Sequence, residues 1–596
     1  MCGICGIISL NNELLNEATQ VVETMNKTIF HRGPDGSGIH DGGSYCFGHT
    51  RLSIVDLSEA GHQPMNYNDR YTITYNGEVY NYIELRSELE AEGYCFDSNT
   101  DTEVIMASYD FWGAECIKKF NGMWAFVIYD SQKSKFFISR DRFGIKPLYF
   151  TKTDGLFIFA SEIKSILAHP EIHAIPNQKY IEHYIDNGPN EFSELTAFDH
   201  IKRFPFAHCF EGHANELKCN FALKRYWRFY PNEDNESFSK TKARKYANEY
   251  YDLLSDAVRL RLRSDVKVGS ALSGGLDSSS IVYLVNQHLK NKGNVKHQNT
   301  FSTVYKSKDL NYCDESNYIN LLADELKVKS WQIEPNTKDV IEEHKKMIVA
   351  LENPPESSLM SSWHTYIEVK RRNVTVTLDG QGADEQLAGY VPFIRSHLLS
   401  LKLLDFMKEC FCFFLQPTFR KEVVRTFLLK VLLLILGKKV LLKFFSKYRG
   451  WNLKICLNST LKNSFETTLV NLLHYADHTS MAHGIESRMP FMDFRLVEFL
   501  ATVPSCYKIH NGWTKYIARL AFDGKLPDKV VWRRDKMGWP TPDEVWFGVK
   551  FRSKVSDSLR NSKLLKLICS KAECHNQSVL LLRKYNISIM EKIFFK

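Results

Sequence analysis

The 596-residue sequence predicts a two-domain protein, a β-rich α+β domain followed by an α/β domain with a parallel sheet and a helical C-terminal part. Three observations carry that expectation. The chain is longer than one hydrophobic core usually organises. Its hydrophobic texture changes from short alternating runs to strand–helix alternation. Between the two textures lies a charged, Asn/Ser-rich stretch, "YPNEDNESFSKTKARK" (Tyr230 to Lys245), that reads as a linker.

The first domain is assigned to residues 1–228. Runs such as "RYTITYNGEVYN" and "MWAFVIYD" alternate apolar and polar positions, and Asp41-Gly42 and Asn121-Gly122 supply turn signals. After a linker over 229–245, the second domain spans 246–596. There "YANEYYDLLSDAVRLRLRS" has helical periodicity, "VKVGSAL" is strand-like, and "SSSIVYLVNQHLKN" is helical again. "NVTVTLDG" (Asn373 to Gly380) is a further buried-strand candidate. Strands alternating with helices imply a parallel sheet. From about 395 the remainder reads as mostly helical, with a variable insertion at about 395–460, and no internal repeat is found.

Composition narrows the function classes. With 44% hydrophobic and 24% charged residues the chain is an ordinary globular one. A net charge of +8 over 77 basic and 69 acidic residues is mild, and the N-terminal half has no basic stripe of the kind nucleic-acid binding needs. The opening "MCGICGIISL" lacks a positive n-region and a small-residue cleavage site, so no signal peptide is expected. Fourteen irregularly spaced cysteines are too dilute for a disulfide framework, so reduced thiols and a cytoplasmic location are expected. A structural zinc is not expected, because Cys2 and Cys5 have no second pair at ligand spacing. The apolar stretch Arg425 to Phe445 is broken by lysines at 430, 438, 439 and 443 and is too short to span a bilayer. Two arrangements suit it, a basic amphipathic helix on a membrane surface or, more commonly, helices packed in the C-terminal domain.

Chemistry-bearing residues cluster first near the N-terminus. If Met1 is removed, Cys2 carries a thiol and a free α-amine on one carbon. The amine, with a pKa of about 8, is an adequately placed base for a thiol whose own pKa is about 8.5. Asn76 and Gly77 in "YNGEVYN" suit an oxyanion hole, through a side-chain amide and a close-approaching backbone N–H. Arg51 in "HTRLSIVD" suits bidentate binding of a carboxylate, and Glu78 and Asp101 are candidates for an ammonium group. Together with "HRGPDG" (His31 to Gly36), "SRDRFGIKPLYF" and "FASEIKSIL", these segments resemble the class II glutamine amidotransferases with an N-terminal-nucleophile αββα fold. The resemblance implies Cys2 as nucleophile on L-glutamine, Asn76 and Gly77 as the oxyanion hole, and Arg51, Glu78 and Asp101 as glutamine-binding residues. Backbone groups of Leu52, Ile54 and Val55 would assist.

The second cluster is "SALSGGLDSSS" (Ser270 to Ser280), at a strand-to-helix junction. Adjacent glycines followed by hydroxyls at a helix N-terminus form a nest for phosphate oxygens. No Gly-Lys-Ser/Thr follows, so it is not a Walker A loop. The S-G-G-x-D-S pattern instead resembles the PP-loop of ATP pyrophosphatases, carried by Ser273, Gly274, Gly275, Asp277 and Ser278. With "LDGQGADEQLAGY", "SMAHGIESRMPFMD" and "WRRDKMGWPTP", it resembles the synthetase domain of glutamine-hydrolysing asparagine synthetases. That resemblance leaves out about 395–460 and the last fifty residues. It implies ATP and Mg2+ as cofactors, with Asp277 and Asp384 holding the metal. It implies Lys536 stabilising phosphate charge, and Leu272, Thr303, Asp379 and Gly380 contacting the nucleotide. A homodimer through the glutaminase domains is typical of the family. Gln381 departs from the pattern, standing where well-studied members place a glutamate, and His478 stands where an arginine is common. A neutral amide hydrogen-bonds but supplies no negative charge and no general base.

The leading expectation is therefore synthesis of L-asparagine, AMP, diphosphate and L-glutamate from L-aspartate, ATP and L-glutamine. A second is the same chemistry on another carboxylate, such as a uronic acid in surface-polysaccharide biosynthesis. A third, of a different class, is a non-catalytic structural relative, against which the complete set of chemical residues argues. Neither a nucleic-acid partner nor a stable membrane span is expected.

Overall fold

The computed structural model describes residues 2–219, 221–232, 236–291, 298–335, 339–436, 456–534, 541–543, 545–547, 552–568 and 577–595. The first domain contributes twelve strands: β1 Gly3–Ser9, β2 Gly36–Asp41, β3 Tyr45–Arg51, β4 Met65–Tyr67, β5 Tyr71–Val79 and β6 Gly122–Asp130, then β7 Lys135–Arg140, β8 Tyr149–Lys152, β9 Leu156–Ala160, β10 Lys202–Arg203, β11 His208–Gly212 and β12 Lys224–Arg225. They form two six-stranded sheets, ordered β10-β8-β9-β1-β3-β2 and β12-β11-β7-β6-β5-β4.

Side-chain alternation explains why the sheets stack. Along β1, Ile4 and Ile8 point into the core between the sheets with Phe47, Phe136 and Phe159. Cys5 and Ile7 point the other way, toward Val22 and Met25 of the helix Ala18–Thr28. The second sheet turns Ile73, Tyr75 and Ile128 outward onto Val104 and Ile105 of the helix Asp101–Trp112. The result is four layers, helix–sheet–sheet–helix, as expected. Cys2 and Cys5 are both free thiols. Cys5 is wholly buried, its thiol facing Asn26 Oδ1 at 3.2 Å.

The helix Lys240–Arg261 starts inside the stretch expected to be linker. Ser239 caps it by accepting from the Lys242 N–H, and Ala243, Ala247, Tyr250, Leu254 and Val258 bury one face. The polar composition of 240–245 had concealed a helical first turn, which shortens the expected linker.

The second domain holds five parallel strands: β13 Val268–Ala271, β14 Asn299–Thr303, β15 Lys329–Ile333, β16 Val376–Leu378 and β17 Glu486–Arg488, ordered β15-β14-β13-β16-β17. The chain leaves β13 toward β14 and later returns on its other side to β16, so a crevice opens between the carboxyl ends of β13 and β16. β17 is the one strand among the described elements of the mostly helical region beyond 395. Its two charged residues do not read as a strand, yet Glu486 and Arg488 are buried as an ion pair. The other described elements beyond 395 are helical.

Within the apolar insertion the structure describes the helices Leu403–Phe414 and Arg420–Leu436, while 437–455 lies outside the described residues. Among the described residues no helix is long and apolar enough to cross a membrane.

Candidate active sites

Cys2 precedes β1 and lines a cavity with Arg51, Leu52, Ile54, Val55, Gly77, Glu78 and Asp101. Eight of the nine residues expected around the nucleophile thus meet in one place. The ninth, Asn76, is wholly buried behind them, and its Oδ1 accepts from the Cys2 main-chain nitrogen at 3.2 Å. That contact turns the amide nitrogen of Asn76 into the donating end; it donates to Ser161 Oγ at 3.4 Å. Gly77 has to be glycine, because a Cβ there would stand 2.2 Å from the Met123 carbonyl oxygen of the paired strand β6. Gly61 serves Arg51 in the same way, since a Cβ at 61 would lie 2.1 Å from Arg51 Nη2.

Burial dominates the electrostatics of this cavity. Burial pushes the Cys2 thiol up, while a hydrogen bond from the Leu52 main chain and the nearby Arg51 charge pull it down. Arg51 donates through Nη1 to the Ser58 carbonyl at 2.8 Å and through Nη2 to the Asp56 carbonyl. Burial raises Asp101 to about 6 against the pull of the Val79 N–H (2.8 Å) and the Tyr75 hydroxyl (2.7 Å). Burial also raises Glu78 well above the usual carboxylate range, opposed by Arg488 at 3.4 Å.

Arg488 belongs to β17, so the first cavity is completed from the second domain. Its main-chain oxygen accepts from the Asp379 N–H at 2.8 Å, and Asp379 lines the second cavity. One residue therefore touches both sites. A second seam runs through Arg32, which donates to the Cys2 carbonyl (3.2 Å), to Glu162 (2.8 Å) and to Asp477 of the second domain (2.8 Å). Lys146 donates to the other oxygen of Asp477 at 3.0 Å, and the two cations hold that carboxyl below its usual range despite its burial. The loop carrying Leu52 to Ser58 is tied across as well, with Asp56 N on Asp265 Oδ2 and Asp265 N on the Ile54 carbonyl, both at 2.9 Å.

The second cavity, of about 290 Å³, lies in the crevice between β13 and β16. Ser273, Gly275, Asp277 and Ser278 line it from the loop after β13 and the first turn of the helix Leu276–Asn291, and Asp379, Gly380, Gln381 and Asp384 from the loop after β16 and the start of the helix Ala383–Leu387. Gly274 adopts φ +69°, which packs the loop against Tyr318. Leu272, Gly274 and Thr303 are not among the lining residues. Leu272 is buried behind the loop, and Thr303, at the end of β14, donates to the Ser361 carbonyl at 2.8 Å.

Lys515 joins the two carboxylates expected to hold magnesium, bonding Asp277 Oδ2 and Asp384 Oδ1 with one ammonium group. Gly389 makes room for this bridge, since a Cβ at 389 would fall 1.6 Å from Asp384 Oδ1 and 2.4 Å from Lys515 Cε. The residues fit a magnesium ion in donor chemistry: Asp277 Oδ1 is buried without a hydrogen-bond partner, and Mg2+ takes one or two carboxylates plus substrate phosphates. Gln381 lines the same cavity. Lys536 lies outside the described residues. Arg533, three residues earlier, pairs with Glu315 and stacks on Tyr318, 3.6 Å from the ring centre, under the phosphate loop.

Sequence reasoning missed Arg32, Arg488, Lys515 and Arg533. Arg32 and Arg488 lay inside quoted motifs, which signalled importance but no partner. Lys515, in "NGWTKYIARL", had no local signal at all.

Comparison with known proteins adds the following. Residues 1–227 match the family model described as "Glutamine amidotransferase domain", and residues 249–575 match "Asparagine synthase". The chain is 31% identical to asparagine synthetase [glutamine-hydrolyzing] 3 of Bacillus subtilis, over 90% of this chain and 86% of that protein. It is 30% identical to asparagine synthetase [glutamine-hydrolyzing] 1 of the same organism, over 94% and 90%. It is 26% identical to amidase chyE of Penicillium rubens, over 93% and 91%.

Proposed function

The chain belongs to the glutamine-hydrolysing asparagine synthetase family, and from that premise we propose that it amidates L-aspartate to L-asparagine with nitrogen taken from L-glutamine. The Cys2 thiolate attacks the glutamine side-chain carbonyl, and the Cys2 α-amine, freed by loss of Met1, takes the thiol proton. Asn76 Nδ2 and the Gly77 N–H receive the developing oxyanion. Ammonia leaves with that proton, and water releases glutamate from the thioester. Arg51 holds the substrate carboxylate, while Glu78 and Asp101 hold its ammonium.

In the second cavity the aspartate carboxylate attacks the α-phosphorus of ATP and diphosphate leaves. Ammonia then displaces AMP from the acyl carbon. Ser273 and Ser278 face the phosphates, and Lys515 moves from its carboxylates toward diphosphate oxygens as charge builds there. Asp277 and Asp384 would hold magnesium, which supplies countercharge to the phosphates. Lys536 is assigned the same task by family resemblance.

The observation that carries this reading is the arrangement of Cys2, Asn76, Arg51, Glu78 and Asp101 around one cavity, bonded through Arg488 to a second cavity at a phosphate loop. Diphosphate release measured with glutamine and ATP, with and without aspartate, tests it; aspartate-dependent release is expected. Gln381 favours a second reading, amidation of another carboxylate such as a uronic acid, because it leaves the acceptor wall without the family's negative charge. Release that ignores aspartate but responds to such an acid selects that reading.

A further inference from the structure

We propose that the outward faces of the helices Leu403–Phe414 and Arg420–Leu436 form a docking surface for an anionic lipid bilayer. The inner faces are ordinary core. Phe406, Cys410, Phe413 and Val423 pack with Phe393, Leu398 and Leu457. The outer faces are not. Of the 26 exposed large hydrophobic side chains among the described residues, 14 fall between Leu403 and Leu436, including Leu404 (86% exposed), Phe411, Leu428, Leu434 and Ile435. More than half of such side chains in so short a stretch is a contiguous apolar patch, not the scatter of a normal surface.

Charge identifies the occupant. Residues 402–436 carry six Lys and Arg against three Asp and Glu. Among the described residues Lys402, Lys408, Arg420, Lys421 and Arg425 are exposed on it. Two of the three acids are withdrawn from the surface. Glu409 is buried and accepts from the Asn511 and Gly512 N–H groups, and Glu422 pairs with Arg395. A two-fold contact with a second copy would set this cationic patch against itself. Anionic headgroups instead neutralise it, while the acyl boundary takes up the Leu and Phe side chains of a helix lying in the interface plane. Neither helix qualifies as a span, so the association is peripheral. The surface is rooted at the second cavity, because Glu409 holds the turn just ahead of Lys515.

Flotation of the full chain with vesicles tests this. Binding is expected to phosphatidylcholine vesicles containing about one third phosphatidylglycerol, weakening as salt rises, and little is expected to phosphatidylcholine alone. Arg420→Gln/Lys421→Gln/Arg425→Gln should weaken partition about a hundred-fold, and Leu404→Glu/Phe411→Glu/Ile435→Glu should abolish it. An unchanged circular-dichroism spectrum and melting temperature report that both variants are folded. Equal partition into neutral and anionic vesicles, or none into either, overturns the proposal without recourse to a variant. So does a dimer seen by analytical ultracentrifugation that the glutamate variant dissociates while wild-type protein ignores vesicles.

Discussion

The two cavities hold their charges by different means. In the first, each charged group is fixed by rigid neighbours on or beside strands: Arg51 by two carbonyls, Asp101 by an N–H and a hydroxyl, Glu78 by buried Arg488. In the second, two carboxylates at helix starts share one lysine at the end of a flexible stem. A substrate with fixed, modest charges is best met by groups already in place, which lose little freedom on binding. A polyphosphate arriving with its cation needs counter-ions that exchange partners. The difference is that between a mould and a clamp.

Separate chemistry in the two cavities gives the largest expected effect. Cys2→Ala should lower glutamine-driven synthesis about 10⁴-fold or more, while synthesis from added ammonium stays within about a few-fold. A matching loss of the ammonium reaction would break the separation. Next comes Lys515→Met, which takes away the clamp. Diphosphate release should fall about 10²- to 10³-fold, with glutamine hydrolysis measured alone nearly unchanged. If hydrolysis collapses too, Lys515 is a structural support of the whole chain.

Asp101 sharpens the contrast through pH. In the proposed reaction it holds ammonium only when ionised, so KM for glutamine should rise as pH drops below about 6, by up to about ten-fold per unit, with kcat flatter. Asp101→Asn should have a high KM with this step removed. The same carboxyl acts oppositely on the fold. Its folded-state pKa is raised from 3.8 to about 6, so the folded chain holds the proton more tightly than the unfolded one. Its stabilising contribution is complete at low pH and is lost as pH climbs through that window. Binding thus gains where stability loses. The smallest effect belongs to Cys5→Ser, which should keep glutamine turnover within about three-fold, because Cys5 faces a helix and not the cavity. Its buried hydroxyl should lower Tm by a few degrees.

Legibility followed the same divide. The first cavity could be read because its residues lie in short motifs on strands of the two stacked sheets, each motif bringing several of them to the cavity together. Arg51 ends β3, and Asn76, Gly77 and Glu78 follow one another along β5. Both lobes of the second cavity were visible as glycine-marked loops after strands. Lys515 was not, because 131 positions separate it from Asp384 and only the fold closes that distance. β17 escaped notice because alternation of apolar residues is the strand signal, and a buried Glu–Arg pair erases it. The start of the helix Lys240–Arg261 is hidden for a similar reason: composition marks 240–245 as polar, but capping by Ser239 decides where the helix starts.

The boundary between the domains has its own consequence. It is sealed by ions whose partners lie on opposite sides, Arg32 and Lys146 with Asp477, and Glu78 with Arg488. Buried charges of this kind are costly to leave alone. The halves are therefore not interchangeable cassettes. A graft that brings in a foreign first domain inherits Asp477 and Arg488 as debts, and it must supply their counter-ions at matching positions before either site can form.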